Sequence, residues 1–138
     1  MIIRQVTEGD SPGKALSTML RPTPDDYALM KPKHSAFYGT TLLTLLQHFG
    51  TKTIILCGFA GDVCVLFTAN DAYMNDFSIV VPQDTYGCSS MEGRKATQQI
   101  LHEVLKVDPI KSTEVDLDGL VGIQEELRKE DGWKDTPP

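Results

Sequence analysis

Thr53-Ile54-Ile55-Leu56-Cys57-Gly58-Phe59-Ala60-Gly61-Asp62-Val63-Cys64-Val65-Leu66-Phe67-Thr68-Ala69 is the stretch from which the fold is read. Its opening, Thr53 to Cys57, is a continuous apolar run rich in β-branched residues and closed by Gly58. That is the pattern of a strand covered on both faces in a parallel sheet. The residues from Gly58 to Asp62 are small and bend-prone, so a tight turn follows. From Val63 to about residue 75 apolar side chains recur nearly all round (Val63, Val65, Leu66, Phe67, Ala69, Ala72, Tyr73), which predicts a buried helix rather than one skimming the surface. Strand, turn and helix in this order are half of a β-α-β unit.

The flanks continue the alternation. Phe77 to Val81 reads as the next buried strand, ended by Pro82 and Asp84. Ser89-Ser90-Met91-Glu92 carries the S-x-x-E spacing of a capping box, and Ala96, Ile100, Leu101, Val104 and Leu105 draw one apolar stripe on the helix behind it. Ile110 to Leu117 is expected to add an edge strand. Beyond Gly122 charged residues dominate, with Trp133 isolated and Pro137-Pro138 terminal, so a short helix and a frayed end are expected. On the other side, Tyr27 to Lys31 reads as a short strand that Pro32 ends, leaving Lys31 at a strand's C-terminal end. Thr40 or Thr41 can cap a helix bearing Leu42, Leu45, Leu46 and Phe49, which Gly50 stops. The first 26 residues are loop-rich, holding Gly9, Asp10, Ser11, Pro12 and Gly13 and one weak helical stretch from Lys14 to Leu20. Helices alternating with buried strands imply right-handed crossovers and a three-layer α/β/α sandwich with a mainly parallel sheet. One domain over residues 1–138 is expected, its core over about residues 25–117 and a polar tail over about residues 122–138. Ligands of such folds bind at the carboxyl ends of the strands.

The 138 residues, 41% hydrophobic and 23% charged, exclude collagen, coiled coil and wholesale disorder. Thirteen basic against nineteen acidic residues give a net charge of -6, which repels phosphate backbones and anionic lipid. Neither a nucleic acid nor a membrane is therefore an expected partner. The longest apolar runs fall far short of the roughly 20 residues that span a bilayer, and Met1-Ile2-Ile3-Arg4-Gln5 is not a secretory signal. A cytoplasmic protein is expected. Cys57, Cys64 and Cys88 form no CxxC pair, so reduced thiols are expected rather than a zinc ribbon or a disulfide framework.

Lys31 and Cys64 both fall at the edge where ligands bind. A thiol in the first turn of a helix faces unpaired N–H groups and the positive end of the helix dipole, which favour an anion there. The bend before it could turn backbone N–H groups toward an oxyanion formed when Cys64 attacks a carbonyl. The plain alternative is a buried free thiol. Cys57 should be a core spacer and Cys88 an inert loop residue. His48 and His102 read as surface groups, whereas His34 could line a pocket mouth. No metal ligand set is seen among them. Asp62 could cap the helix, and Asp84 could hold a loop in place. Ser89 and Ser90 lack a histidine partner, and neither a dinucleotide fingerprint nor a phosphate loop occurs, so no cofactor is expected.

Two segments together resemble the isochorismatase-like cysteine hydrolases, a family that includes nicotinamidases and other small amidases: Lys31-Pro32-Lys33-His34-Ser35-Ala36-Phe37-Tyr38-Gly39-Thr40, and Ile54 through Ala69. The resemblance covers about residues 25–110. It implies that Cys64 is the nucleophile and that Lys31, ahead of the Ser-Ala-Phe motif, is the catalytic lysine in preference to Lys33. It also implies a cis Phe59–Ala60 peptide, an oxyanion hole made by the N–H groups of Ala60 and Cys64, and Phe37 in the pocket wall. A small-molecule substrate of amide or ester type and a homo-oligomer are implied as well. The chain departs from the family at its start: the strand ending in a general-base aspartate, expected ahead of Tyr27, has no counterpart, and Asp10 lies in a loop without a buried strand before it. An N-terminally shortened fold, a weakened hydrolase, or a non-catalytic oligomerising or binding protein would each fit. Gly61 also replaces the family's usual threonine, which suggests a more flexible turn.

Overall fold

The computed structural model describes residues 14–132. The expectations for residues 1–13, Asp10 among them, and for Trp133 to Pro138 lie outside the described residues. The elements are α1 (Lys14–Met19), α2 (Leu42–His48), β1 (Thr53–Ile55), β2 (Gly58–Phe59), α3 (Leu66–Met74), β3 (Ser78–Val80), β4 (Tyr86–Gly87), α4 (Met91–Gln99) and α5 (Leu117–Glu130). Wide π-type turns, Gly61–Val65 and Ile100–Val104, lead into α3 and out of α4.

The strands pair in parallel. Thr53, Ile54 and Ile55 lie opposite Ser78, Ile79 and Val80, and Gly58 and Phe59 lie opposite Tyr86 and Gly87. Two flanking bonds extend the first pair, Ser78 N–H to the Lys52 carbonyl and Leu56 N–H to the Val80 carbonyl, both 2.9 Å. The ladder breaks where Leu56 and Cys57 face Val81 to Thr85. Pro82 has no N–H to donate, and Thr85 N–H turns back onto its carbonyl at 3.1 Å.

The core forms between the turn into α3 and the strands. Val65, Leu66 and Ala69 meet Val81 and Tyr86, and Leu101, Leu105 and Val107 close the other side. Each of the larger side chains contributes about 1.5–3 kcal/mol by leaving water. Ala69 and Ala72 are fully covered, which lets α3 lie close against its neighbours.

Several expectations are corrected by the tertiary arrangement. Residues 27–31 are irregular and exposed, because no strand pairs with them; Lys31 is therefore not at a strand end. Strand β1 is not covered on both faces, since Ile55 is 43% exposed and Cys57 is exposed rather than a core spacer. Helix α3 buries one side only, with Phe67, Tyr73 and Met74 outward. The cap of α4 is Ser90, whose hydroxyl accepts from Gly93 N–H at 3.0 Å, in place of a Ser89–Glu92 box. The stripe of α4 that turns inward is Thr97, Leu101 and Leu105. Ala96 and Val104 are exposed, so the inward row runs one residue to the side of the expected stripe.

No strand forms over Ile110 to Leu117. Asp84 ties that segment down instead, accepting from the N–H and hydroxyl of Ser112 at 2.7 Å each, and a 3-10 turn follows over Ser112–Glu114. The Asp84 carboxyl is held below its ordinary value, first by the Ser112 hydroxyl and then by its N–H. A depressed carboxyl stabilises the fold above the unfolded value of about 3.9, and that stability is lost as pH falls through the folded value. Urea midpoints of wild type and Asp84→Asn should therefore differ at pH 6, and the difference should shrink as pH falls below the unfolded value of about 3.9.

Helix α5 begins earlier and runs longer than expected, capped by Asp116, which accepts from Gly119 N–H at 2.9 Å. Gln124 docks it: its amide oxygen accepts from Lys52 N–H and its amide nitrogen donates to the Gly50 carbonyl, both at 2.6 Å. Arg128 adds bonds to the carbonyls of Phe49 and Gly50. Gln124→Ala leaves the Lys52 N–H without its acceptor and should cost about 1–3 kcal/mol in chemical unfolding. Among the described residues no helix is long and apolar enough to cross a membrane.

Candidate active site

Gly58 adopts a φ of 123°, a conformation that side chains rarely tolerate, and so bends the chain out of β1. The Phe59–Ala60 peptide that follows is cis. The Ala60 carbonyl then accepts from the N–H groups of Val63 and Val65 at 3.2 and 3.1 Å. Cys64 sits between these two donors, half-buried, in the turn that opens α3. The turn is closed by backbone bonds, so Asp62 does not cap it. One Asp62 carboxylate oxygen is enclosed without a partner, and the other lies beside Gly93 of α4.

Gly61 is buried, and its size has a tertiary cause. A Cβ built there would collide with the Tyr86 ring and stand 2.8 Å from the Cys88 sulfur. The expected flexibility is thus replaced by a packing constraint. Cys88, read from sequence as an isolated loop residue, lies against this turn and the core. The Tyr86 hydroxyl is pushed up by burial, a shift that the Arg94 guanidinium, 5.5 Å from the ring centroid, opposes.

The Lys31 segment is attached to the same helix. Thr68 donates its hydroxyl to the Cys64 carbonyl at 2.7 Å and accepts from Ala36 N–H at 3.0 Å. One turn further, Asp71 accepts the Ser35 hydroxyl, which itself accepts from Phe37 N–H at 3.1 Å. Ser35 and Thr68 are both buried. Lys31 itself is exposed, its ammonium folded onto the carbonyls of His34 at 3.0 Å and Lys33 at 3.4 Å. Between this segment and the outer face of α3 opens a hollow of about 490 Å³, lined by Lys33, His34, Tyr38, Phe67 and Asn70. The His34 and Phe67 rings are 5.7 Å apart there. Phe37 does not line this hollow; its ring rests 6.0 Å from that of Phe77. His48 and His102 are exposed.

Ser35, Thr68 and Asp71 were not singled out from sequence, although a signal existed. Thr68 and Asp71 follow Cys64 at helical spacing as polar residues on a helix read as apolar all round, and buried polar groups need partners.

A parallel strand pair, a cysteine in the turn between strand and helix, and a lysine segment laid on that helix define the arrangement of this α/β protein. The chain belongs to the isochorismatase family: residues 3–108 match the model of the Isochorismatase domain. It is 47% identical over 92 residues to the uncharacterized isochorismatase family protein YaaI of Bacillus subtilis (strain 168), covering 67% of this chain and 51% of that protein. It is 40% identical over 73 residues to the ureidoacrylate amidohydrolase RutB of Methylorubrum extorquens, covering 52% of this chain and 29% of that protein. Its structure is similar to that of N-carbamoylsarcosine amidase from Thermoplasma acidophilum, with a TM-score of 0.65 and 30% identity over 78% of this chain and 61% of that one. The chain thus spans about half the length of the first of these relatives. Helix α5 lies beyond the family match.

Proposed function

We infer that this chain carries the nucleophile, lysine and oxyanion elements of a cysteine hydrolase acting on a small amide. The observation that supports this best is the pair of bonds through Thr68 and Asp71, which fasten the Lys31 segment to the helix that Cys64 opens. In this reading the Cys64 sulfur attacks the substrate carbonyl as the thiol proton leaves. The oxyanion is met by the N–H groups of Ala60 and Cys64, and Lys31 stabilises the developing charge. Collapse breaks the C–N bond, a proton goes to the departing nitrogen, and water then attacks the thioester to release the acid and restore the thiol. The resemblance assigns uptake of the thiol proton to an aspartate on a strand ahead of Tyr27. The hollow beside His34 and Phe67 adjoins the Lys31 segment, and neither Lys31 nor Cys64 lines it.

The test is to incubate the protein with a panel of small primary amides and ureido compounds and follow both acid release and intact mass. Turnover with a transient acyl adduct on the peptide containing Cys64 supports the reading; an adduct on Cys57 or Cys88 instead, or none with any substrate, overturns it. A second reading, an assembly module, is favoured by the exposed apolar residues Tyr27, Met30 and Tyr38 on the Lys31 segment. A dimeric mass in light scattering that reverts to monomer on Met30→Lys would support it.

A further inference from the structure

We propose that Thr68 is a positioning residue that, beside Asp71, holds the Lys31 segment in register with Cys64. The proposal rests on the reading of Cys64 and Lys31 given above. The Thr68 hydroxyl is 6% exposed as a residue and uses both of its capacities: it donates to the Cys64 carbonyl and accepts from Ala36 N–H. A threonine on a helix often bonds its own preceding turn, so the first bond alone would be ordinary. The second makes it a bridge. Ala36 is not part of any helix or strand, and with Tyr27 to Lys31 lacking a partner strand, the segment has no ladder to fix its height along α3. Its place is set by side chains instead. Asp71 supplies the other point by accepting the Ser35 hydroxyl. Of these two points, Thr68 is the one whose hydroxyl also bonds the Cys64 carbonyl.

Further bonds show that a shift at Ala36 is carried along the segment. The Ala36 carbonyl accepts the Thr40 hydroxyl at 2.5 Å, and Thr40 in turn accepts from Leu42 N–H at 3.2 Å, so Ala36 is tied to the start of α2. On the other side, the His34 carbonyl holds the Lys31 ammonium. Loss of the Thr68 hydroxyl therefore detaches Ala36 from the Cys64 carbonyl, while Asp71 still holds Ser35 and Thr40 still ties Ala36 to the start of α2.

The test is a double-mutant cycle on the alkylation rate of Cys64 by iodoacetamide, read by peptide mass spectrometry in the full chain. Wild type, Lys31→Met, Thr68→Val and the double variant are compared, with exposed Cys57 as the internal reference and Thr68→Ser as the conservative control. Thr68→Val keeps the shape of the side chain, and unchanged circular dichroism together with an unchanged Cys57 rate marks a folded variant. Lys31→Met and Thr68→Val are each expected to slow Cys64 on the order of fivefold, the double variant no more than either single change, and Thr68→Ser to restore the wild-type rate. A Lys31→Met effect that persists in full on the Thr68→Val background overturns this proposal alone. A Lys31→Met variant indistinguishable from wild type overturns the pairing of Lys31 with Cys64, and the proposal with it. Should Thr68→Val unfold the chain, Thr68→Ala takes its place in the cycle, with the same two readings.

Discussion

Cys64→Ala is expected to remove acyl-adduct formation and to lower amide turnover by about four powers of ten or more, because loss of a nucleophile leaves only binding and oxyanion stabilisation. Lys31→Met should be milder, at about two to three powers of ten in kcat, the size associated with deleting one electrostatic contact to a developing charge. Cys57→Ser should change neither quantity, since Cys57 is exposed and belongs to the strand end rather than to the turn. The three variants separate a nucleophilic role from general damage: all share one fold, and circular dichroism and urea midpoints should match the wild type for each. The checking measurement is kcat and KM for whichever amide proves active, together with intact mass after rapid quenching. Activity in Cys64→Ala comparable to wild type would end the covalent reading.

The second large effect is expected at Gly61. Ala at this position places a methyl group against the Tyr86 ring and the Cys88 sulfur, inside a turn whose neighbours are already core residues. Overpacking of this kind costs about 1–3 kcal/mol, and Thr should cost more than Ala because it adds two further atoms in the same space. The origin is testable by a cycle with Tyr86→Val, which removes the ring from the collision. Tyr86→Val alone should destabilise by emptying part of the core. The double variant Gly61→Ala with Tyr86→Val should be more stable than the sum of the single changes by about 1 kcal/mol or more in urea unfolding. Additive costs would show that Tyr86 is not the reason for the glycine.

The strand, turn and helix around Cys64 were legible in the sequence because their signals are local. A β-branched run, a glycine and an apolar helix do not depend on what lies elsewhere in the chain. The same holds for α2, whose apolar spacing and Gly50 stop agree with the observed Leu42–His48, Gly50 lying at φ 58°. Edge positions were not legible in the same way. Tyr27 to Lys31 and Ile110 to Leu117 have acceptable strand composition, but a strand exists only when another backbone takes its N–H and C=O groups. In the second case the Asp84 carboxylate accepts from the N–H and the side-chain hydroxyl of Ser112 instead. The exposure of Cys57 escaped for a related reason: an apolar run shows that burial is possible, while the number of strands beside it decides whether burial happens.

By itself the sequence determined the class of fold, the turn that presents Cys64, and the two segments whose pairing defines the family, since each is written in short-range spacing and residue chemistry. Only the tertiary structure decided that the Lys31 segment is held by Thr68 and Asp71 rather than by a sheet, that Gly61 answers to Tyr86, and that α5 is docked through Gln124. Those are contacts between residues far apart in the chain. Hydrogen-bond capacity and volume are properties of one side chain, but satisfaction and collision are properties of two, and the second partner is chosen by the packing of the whole.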